Sequence, residues 1–316
     1  MLAPGGAVTG GPAPAPRVAV LLSTYNGARF LAEQLESLAR QSGVEVLLHA
    51  RDDGSSDATP AILREWAGRW PRLADLTIGE NLRPAASFLT LLRTAPGDAE
   101  YFAFCDQDDV WHPDKLARGV AAIAGEGGPA LYCSNVALVD EALAPLGPAP
   151  RNGDTRFVHL LFENIAFGCT VVMNRAARDL IAAHDPGAAA VMHDWWCALV
   201  VAAFGRIHYD PRPGVSYRQH GGNTVGQQGP LVQFAREARR FLRGARGFYR
   251  IHAQAQALLR LYGTELPAQH RAVAERLVAS KGAVGRRLSY ALGGPVVRRR
   301  PFDAAVVRGL IAAGWY

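Results

Sequence analysis

Two rhythms of apolar residues alternate along the first half of this 316-residue chain. RVAVLLS (17–23), EVLLHA (45–50) and YFAFC (101–105) are short continuous apolar runs, the pattern of parallel strands covered on both faces. Between them the spacing becomes helical. Phe30, Leu31, Leu35 and Leu38 form one stripe of a helix over 29–41. Asp57 is placed to cap a second helix that tolerates Pro60 in its first turn and turns Ile62, Leu63 and Trp66 inward. A short strand near 76–78, a helix near 85–93, a helix starting at Pro113 and a strand at 130–134 continue the series. This βαβ progression predicts an α/β fold, a mostly parallel sheet flanked by helices.

The second half is less regular. GCTVVMN (168–174) reads as a strand and NRAARDLIAAH as a helix. HDWWCALVVAAF (193–204) is an apolar helix with a polar start, and GVSYRQH (214–220) is extended. From about Gly229 the chain turns helical and arginine-rich. The expected division is a disordered Gly/Pro/Ala leader at 1–16, an α/β domain at 17–228 and a basic helical appendage at 229–316. The leader lacks the basic and apolar regions of a signal peptide, and no run reaches the roughly 18 apolar residues of a membrane span. The expectation is a cytoplasmic protein that can rest on a membrane surface.

Composition narrows the chemistry. Four cysteines, Cys105, Cys133, Cys169 and Cys197, lie far apart in apolar runs without a CxxC pair, so buried free thiols are expected rather than a zinc or redox site. The formal charge is +6, and Lys115 and Lys281 are the only lysines. Arginine favours bidentate contacts to phosphate or carboxylate, although codon bias would give the same excess.

Polar clusters follow three of the strands: Ser23-Thr24-Tyr25-Asn26, Asp52-Asp53-Gly54-Ser55 and Asp106-Gln107-Asp108-Asp109. In open α/β sheets ligands sit outside the carboxyl ends of the strands, so the clusters are expected to share one rim. GxGxxG and Walker A motifs are both missing, which sets aside a dinucleotide enzyme and a P-loop NTPase. Turn chemistry in DDGSSD needs one aspartate and leaves the other free for a ligand. Asp106 and Asp108, two apart in an extended segment, should point the same way and suit Mg²⁺ or Mn²⁺. Asp109 and Asp114 read as helix-capping charges, and His112 and Trp111 as structural.

VLLSTYNG, DDGSSDAT, FCDQDDVWHPDKL and HDWW, in this order, resemble the family 2 glycosyltransferases of the GT-A fold. The DQDDxW form with HDWW and YRQHGGN downstream is most similar to the rhamnosyltransferase-like branch. The resemblance covers roughly residues 17–225 and implies a role for each motif. Ser23, Thr24 and Tyr25 would line the nucleotide base, and Asp53 would bind its imide. Asp106 would face the ribose and Asp108 the divalent metal, with His220 a further metal or diphosphate ligand and Arg218 near the phosphates. Asp194 would be the base that deprotonates the acceptor hydroxyl in an inverting displacement, with N-capping as its competing role. His193 would orient the acceptor side. Trp195 and Trp196 would stack on sugar or pack in the core, and Glu163 and Asn164 would lie near a bound sugar.

The processive members' QxxRW signature is absent. The donor implied is a dTDP- or UDP-sugar, with rhamnose the expected sugar, and the acceptor a glycan or lipid-linked hydroxyl. The basic tail suits an anionic membrane surface. Two other classes compete. A nucleotidyltransferase would need a Gly/Arg-rich loop where STYNGARF offers only Gly27 and Arg29. A phosphate-polymer or nucleic-acid binder could use the tail but not the acidic rim.

Overall fold

The apolar runs pair into a mixed eight-stranded sheet in the computed structural model, which describes residues 14–70, 73–147, 153–220 and 250–316. Most of the leader, the boundary at 228/229 and the basic run at 236–249 lie outside the described residues. The strands are β1 (Arg17–Thr24), β2 (Glu45–Asp52), β3 (Leu73–Ile78), β4 (Tyr101–Cys105), β5 (Val110–Trp111), β6 (Ala130–Val139), β7 (Val172–Asn174) and β8 (Arg206–Arg218). Their order is β3-β2-β1-β4-β7-β6-β8-β5. The half built by β3, β2, β1 and β4 is parallel throughout, whereas β7 pairs antiparallel with both β4 and β6.

The helices of the first half are α1 (Leu31–Ala39), α2 (Thr59–Arg69), α3 (Pro84–Thr94) and α4 (Lys115–Ile123). Then come α5 (Phe157–Leu160), α6 (Arg175–Ala182) and α7 (His193–Phe204). The C-terminal region adds α8 (Ile251–Tyr262), α9 (Ala268–Ser280), α10 (Val284–Gly293) and α11 (Pro301–Ala313).

Strand alternation distributes the core over the two faces. Ala19, Leu21, Phe102 and Phe104 join an apolar cluster with Phe88 of α3 and Trp195 and Trp196 of α7. Val18, Val20, Leu22, Ala103 and Cys105 join the opposite cluster with Leu31, Leu35, Leu116 and Trp111. Ile251, Leu258, Tyr262 and Tyr290 of the C-terminal helices are buried in the first cluster, and Tyr262 packs against Trp196 and Phe204 of α7. That anchorage makes α7 a central element, covered on both sides, and explains why its apolar residues run all round the helix.

Three local expectations change. The run 168–174 opens as a single 3₁₀ turn (Gly168–Thr170), and only Val172–Asn174 is strand. The helix after the acidic run starts at Lys115, with Asp114 at its cap position making no side-chain cap bond. Asp109 is no cap at all. It is fully buried ahead of β5, where its Oδ1 accepts from the backbone N–H of Arg218 at 3.1 Å.

Candidate active site

The parallel register brings the three polar clusters onto one rim. Thr24 pairs with Asp52 and Leu22 with Cys105, so β1, β2 and β4 end side by side. Ser23, the last residue but one of β1, shares a 2.8 Å hydrogen bond with Ser87 of α3. The two neighbouring aspartates where β2 ends divide their duties. Asp52 accepts from Thr24 Oγ1 at 2.8 Å and from the Ser55 backbone and hydroxyl at 2.9 and 2.6 Å, which makes it the turn former. Asp53 is turned away from that turn: Arg51 Nε donates to its Oδ1 at 2.9 Å and the Leu82 N–H to its Oδ2 at 3.0 Å. Each oxygen keeps a second lone pair for a ligand.

Tyr25 is half exposed, and the Gln107 amide grips its backbone from both sides. The Tyr25 N–H donates to Gln107 Oε1 at 2.8 Å, and Gln107 Nε2 donates to the Tyr25 carbonyl at 3.0 Å. Gln107 is a site residue that the sequence reading left without a role. It locks the end of β1 to the acidic loop, and the signal for it was an amide standing among aspartates.

The acidic loop does not continue the strand, so the alternation expected of Asp106 and Asp108 fails. Asp108 turns to the end of β8, where its Oδ2 lies 2.8 Å from His220 Nε2. Ligand atoms of Asp106, Asp109 and Cys169 instead lie within 4.8 Å of one another. Burial, with Asp108 and Asp194 close by, pushes the Asp106 carboxyl up to about 8. Burial also holds the Asp109 carboxyl well above the usual carboxylate range, reinforced by Asp108 and Asp106. The cation facing these groups is Lys115, fully buried, with its Nζ 3.2 Å above the Trp111 ring and no hydrogen-bond partner among the described residues. Burial draws its ammonium down to about 7. One of only two lysines in the chain therefore sits beneath the acidic loop, and that scarcity was its signal.

Arg218, expected near a diphosphate, is engaged by the protein itself. Its guanidinium is buried and stacks 4.4 Å from the Phe30 ring. It donates to the Asp108 carbonyl at 2.8 Å, to Glu33 Oε2 at 2.7 Å and to the Glu141 carbonyl. Arg218 thus ties α1, the acidic loop and the 140–142 turn together rather than turning its charge toward solvent. The Gly221-Gly222-Asn223 part of YRQHGGN lies outside the described residues.

Asp194, on the first turn of α7, comes to the same rim from below and is 3% exposed. The Trp195 N–H donates to its Oδ1 at 2.6 Å, and the Gly168 backbone and Asn164 side chain also hold the carboxylate. It does not cap α7 through its side chain, because the cap position belongs to Met192. Burial raises its carboxyl to about 7 despite those hydrogen bonds. His193 is buried against Phe88, ring centroids 4.0 Å apart, and burial lowers it to about 3, so it stays neutral near neutrality. Trp195 and Trp196 are both core, Trp195 donating to the Leu160 carbonyl at 2.6 Å. Glu163 faces the C-terminal region, where it accepts from the Arg299 N–H at 2.8 Å.

Comparison with known proteins gives the family and the fold. The dTDP-rhamnosyl transferase RfbG of Shigella flexneri is 27% identical over 227 residues, 65% of this chain and 73% of the relative. An uncharacterized protein of Mycobacterium tuberculosis is 30% identical over 212 residues, 64% of this chain but only 59% of its own length. Among solved structures, Staphylococcus aureus TarS 1–349 in complex with UDP-GlcNAc superposes with a TM-score of 0.56 at 17% identity, covering 95% of this chain and 82% of that one. That is a likeness of fold. Residues 19–195 match the model of glycosyl transferase family 2, more than half of the sequence. The chain belongs to that family and is a glycosyltransferase.

Proposed function

We propose that this enzyme transfers a sugar, rhamnose in the best-supported case, from a dTDP- or UDP-sugar to a hydroxyl of a glycan or lipid-linked acceptor, with inversion and with a divalent cation. The observation that carries the reading is Asp194. A buried carboxylate held near neutrality by burial stands within electrostatic reach of Asp106, at the end of the central parallel strand β4. A general base works best when its pKa lies near the working pH. The 27% identity to a dTDP-rhamnosyl transferase supports the choice of sugar and nucleotide.

In this scheme the rim holds the donor. Ser23, Thr24 and Tyr25 line the base, Asp53 accepts from its imide, and Asp106 faces the ribose. Asp194 takes the proton of the acceptor hydroxyl as its oxygen attacks the anomeric carbon. The bond from that carbon to the diphosphate oxygen breaks on the opposite face, which inverts the configuration. Arg218 fixes Asp108 through its carbonyl and so positions the loop instead of touching phosphate.

The residues present fit a divalent cation. Asp108 and His220 are a hard oxygen and an imidazole already 2.8 Å apart on the rim, beside an excess of carboxylates. Mg²⁺ or Mn²⁺ bound there would neutralise the leaving diphosphate. The Asp106, Asp109 and Cys169 group is a poorer seat, because Asp109 and Cys169 are fully buried and Lys115 already supplies positive charge there.

Two outcomes test this. Asp108→Asn should lower transfer by roughly two orders of magnitude and abolish the effect of Mg²⁺ or Mn²⁺ on dTDP or UDP binding by calorimetry. Full transfer by that variant would end the metal role. With Asp194 as base, turnover should climb about tenfold per pH unit below about 7 and level off above it, because only the carboxylate accepts the proton. A pH profile flat from acid to alkaline with chemistry rate-limiting would remove Asp194 from that role.

A further inference from the structure

Helix α10 is apolar where a solvent-facing helix should be polar. It turns Tyr290 and Ala291 inward. Its outer stripe carries Val284, Leu288 and Leu292 at four-residue spacing, 57%, 46% and 86% exposed. Residues four apart share one helix face, so the three side chains form a continuous ridge. The neighbouring helix α11 opens with Phe302, 70% exposed, and is latched to α10 by Arg308, which donates to the Ala291 and Gly294 carbonyls. Trp315, just past α11, is also exposed. Half of the exposed large hydrophobic residues among those described fall in this last tenth of the chain. Such a concentration marks a contact surface, since single exposed apolar residues are ordinary and a cluster is not.

Charge identifies the occupant. Residues 284–316 hold six arginines against one acid, Asp303. Arg286 lies on α10 itself and Arg299 and Arg300 just ahead of α11, and all three are exposed. We propose that the Val284–Leu288–Leu292 ridge and its arginine border seat the enzyme on an anionic lipid bilayer, with the leucines in the headgroup–acyl boundary. An apolar helix face bordered by arginine is the pattern of an interfacial helix, with the guanidinium groups reaching back to lipid phosphate. A second copy meeting this face through a two-fold axis would set arginine against arginine. A nucleic acid would satisfy the arginines and leave the leucine ridge in water. No helix among the described residues is long and apolar enough to cross a membrane, so the contact is peripheral. This surface is independent of the transfer chemistry and does not rest on it.

Flotation of the full-length protein with mixed phosphatidylglycerol–phosphatidylcholine vesicles, against pure phosphatidylcholine vesicles, tests the proposal. The expected result is binding at least about tenfold stronger to the anionic vesicles at low salt. Leu288→Glu combined with Leu292→Glu should lower that binding by roughly tenfold or more, with melting temperature and UDP binding unchanged. Arg286→Glu should weaken it by a factor of about five. The proposal is overturned if the wild type leaves both vesicle types unbound. It is equally overturned if the Leu288→Glu/Leu292→Glu protein floats like the wild type, since another part of the chain would then hold the bilayer. A dimer in analytical ultracentrifugation that the double variant dissolves, with vesicle binding absent, would assign the ridge to a second copy.

Discussion

Asp194→Asn should abolish sugar transfer while leaving the donor bound and the fold more stable above neutrality. A positioned base contributes roughly 10²–10⁴-fold, so the expected loss in turnover is about a thousandfold. Asparagine keeps the shape and an oxygen for the Trp195 N–H, so the geometry of the α7 start survives. Stability moves the other way, and its sign follows from protons. The Asp194 carboxyl sits at about 7 when folded, against about 4 in an unfolded chain, so between those values the folded state binds more protons. Stability is therefore highest below that window and falls as pH rises through it. The amide has no such dependence, so the melting temperature of the variant should gain on the wild type between about pH 5 and pH 8. A residue kept only to cap α7 would show the reverse, loss of stability with activity spared. Turnover, donor affinity by calorimetry and melting curves at the two pH values separate the readings. Transfer within a few-fold of wild type would discard the base.

The strands that carry the rim were legible because their signal is local. RVAVLLS, EVLLHA and YFAFC are buried on both faces, and continuous apolar runs ending in polar clusters say so without any knowledge of neighbours. The convergence of Ser23, Asp53 and Asp106 follows once those strands are parallel and adjacent. The division between Asp52 and Asp53 was half legible: turn chemistry called for one aspartate, and the Thr24 and Ser55 contacts decide which. What stayed hidden depends on residues far apart in the chain. Asp109 looked like a helix cap because its partner, the Arg218 N–H, is 109 positions away. Asp108 and Asp106 were expected to point together because alternation assumes a strand, and the loop instead bends toward His220. Lys115 stood out only as one of two lysines, and only the folded chain places its ammonium against the Trp111 ring and the acidic loop. Burial inverts the ordinary meaning of these charged residues, and burial at a loop is not written in the loop.

Arg218→Lys tests the part of the site that sequence reasoning placed differently, and its effect on stability should be among the largest of any single substitution here. If Arg218 held the diphosphate, lysine would keep the charge, leave the fold alone and weaken the donor by a modest factor. The geometry says otherwise. Three donors of one planar group reach the Asp108 carbonyl, Glu33 and the Glu141 carbonyl in three directions, with the group stacked over Phe30. A single ammonium on a flexible stem cannot satisfy that fork. At least one buried carbonyl loses its donor, at about 1–3 kcal/mol each, and a misplaced buried cation raises the cost to about 3–5 kcal/mol. For a domain of this size that corresponds to a melting temperature lower by roughly 5–10 °C. Donor binding should fail in step, because Asp108 and His220 hang from the same tie. The discriminating measurement is therefore melting in the absence of any nucleotide. A drop there, with transfer partly recovered on cooling, makes Arg218 the strut of the acidic loop; an unchanged melting curve with weakened donor would return it to the phosphates.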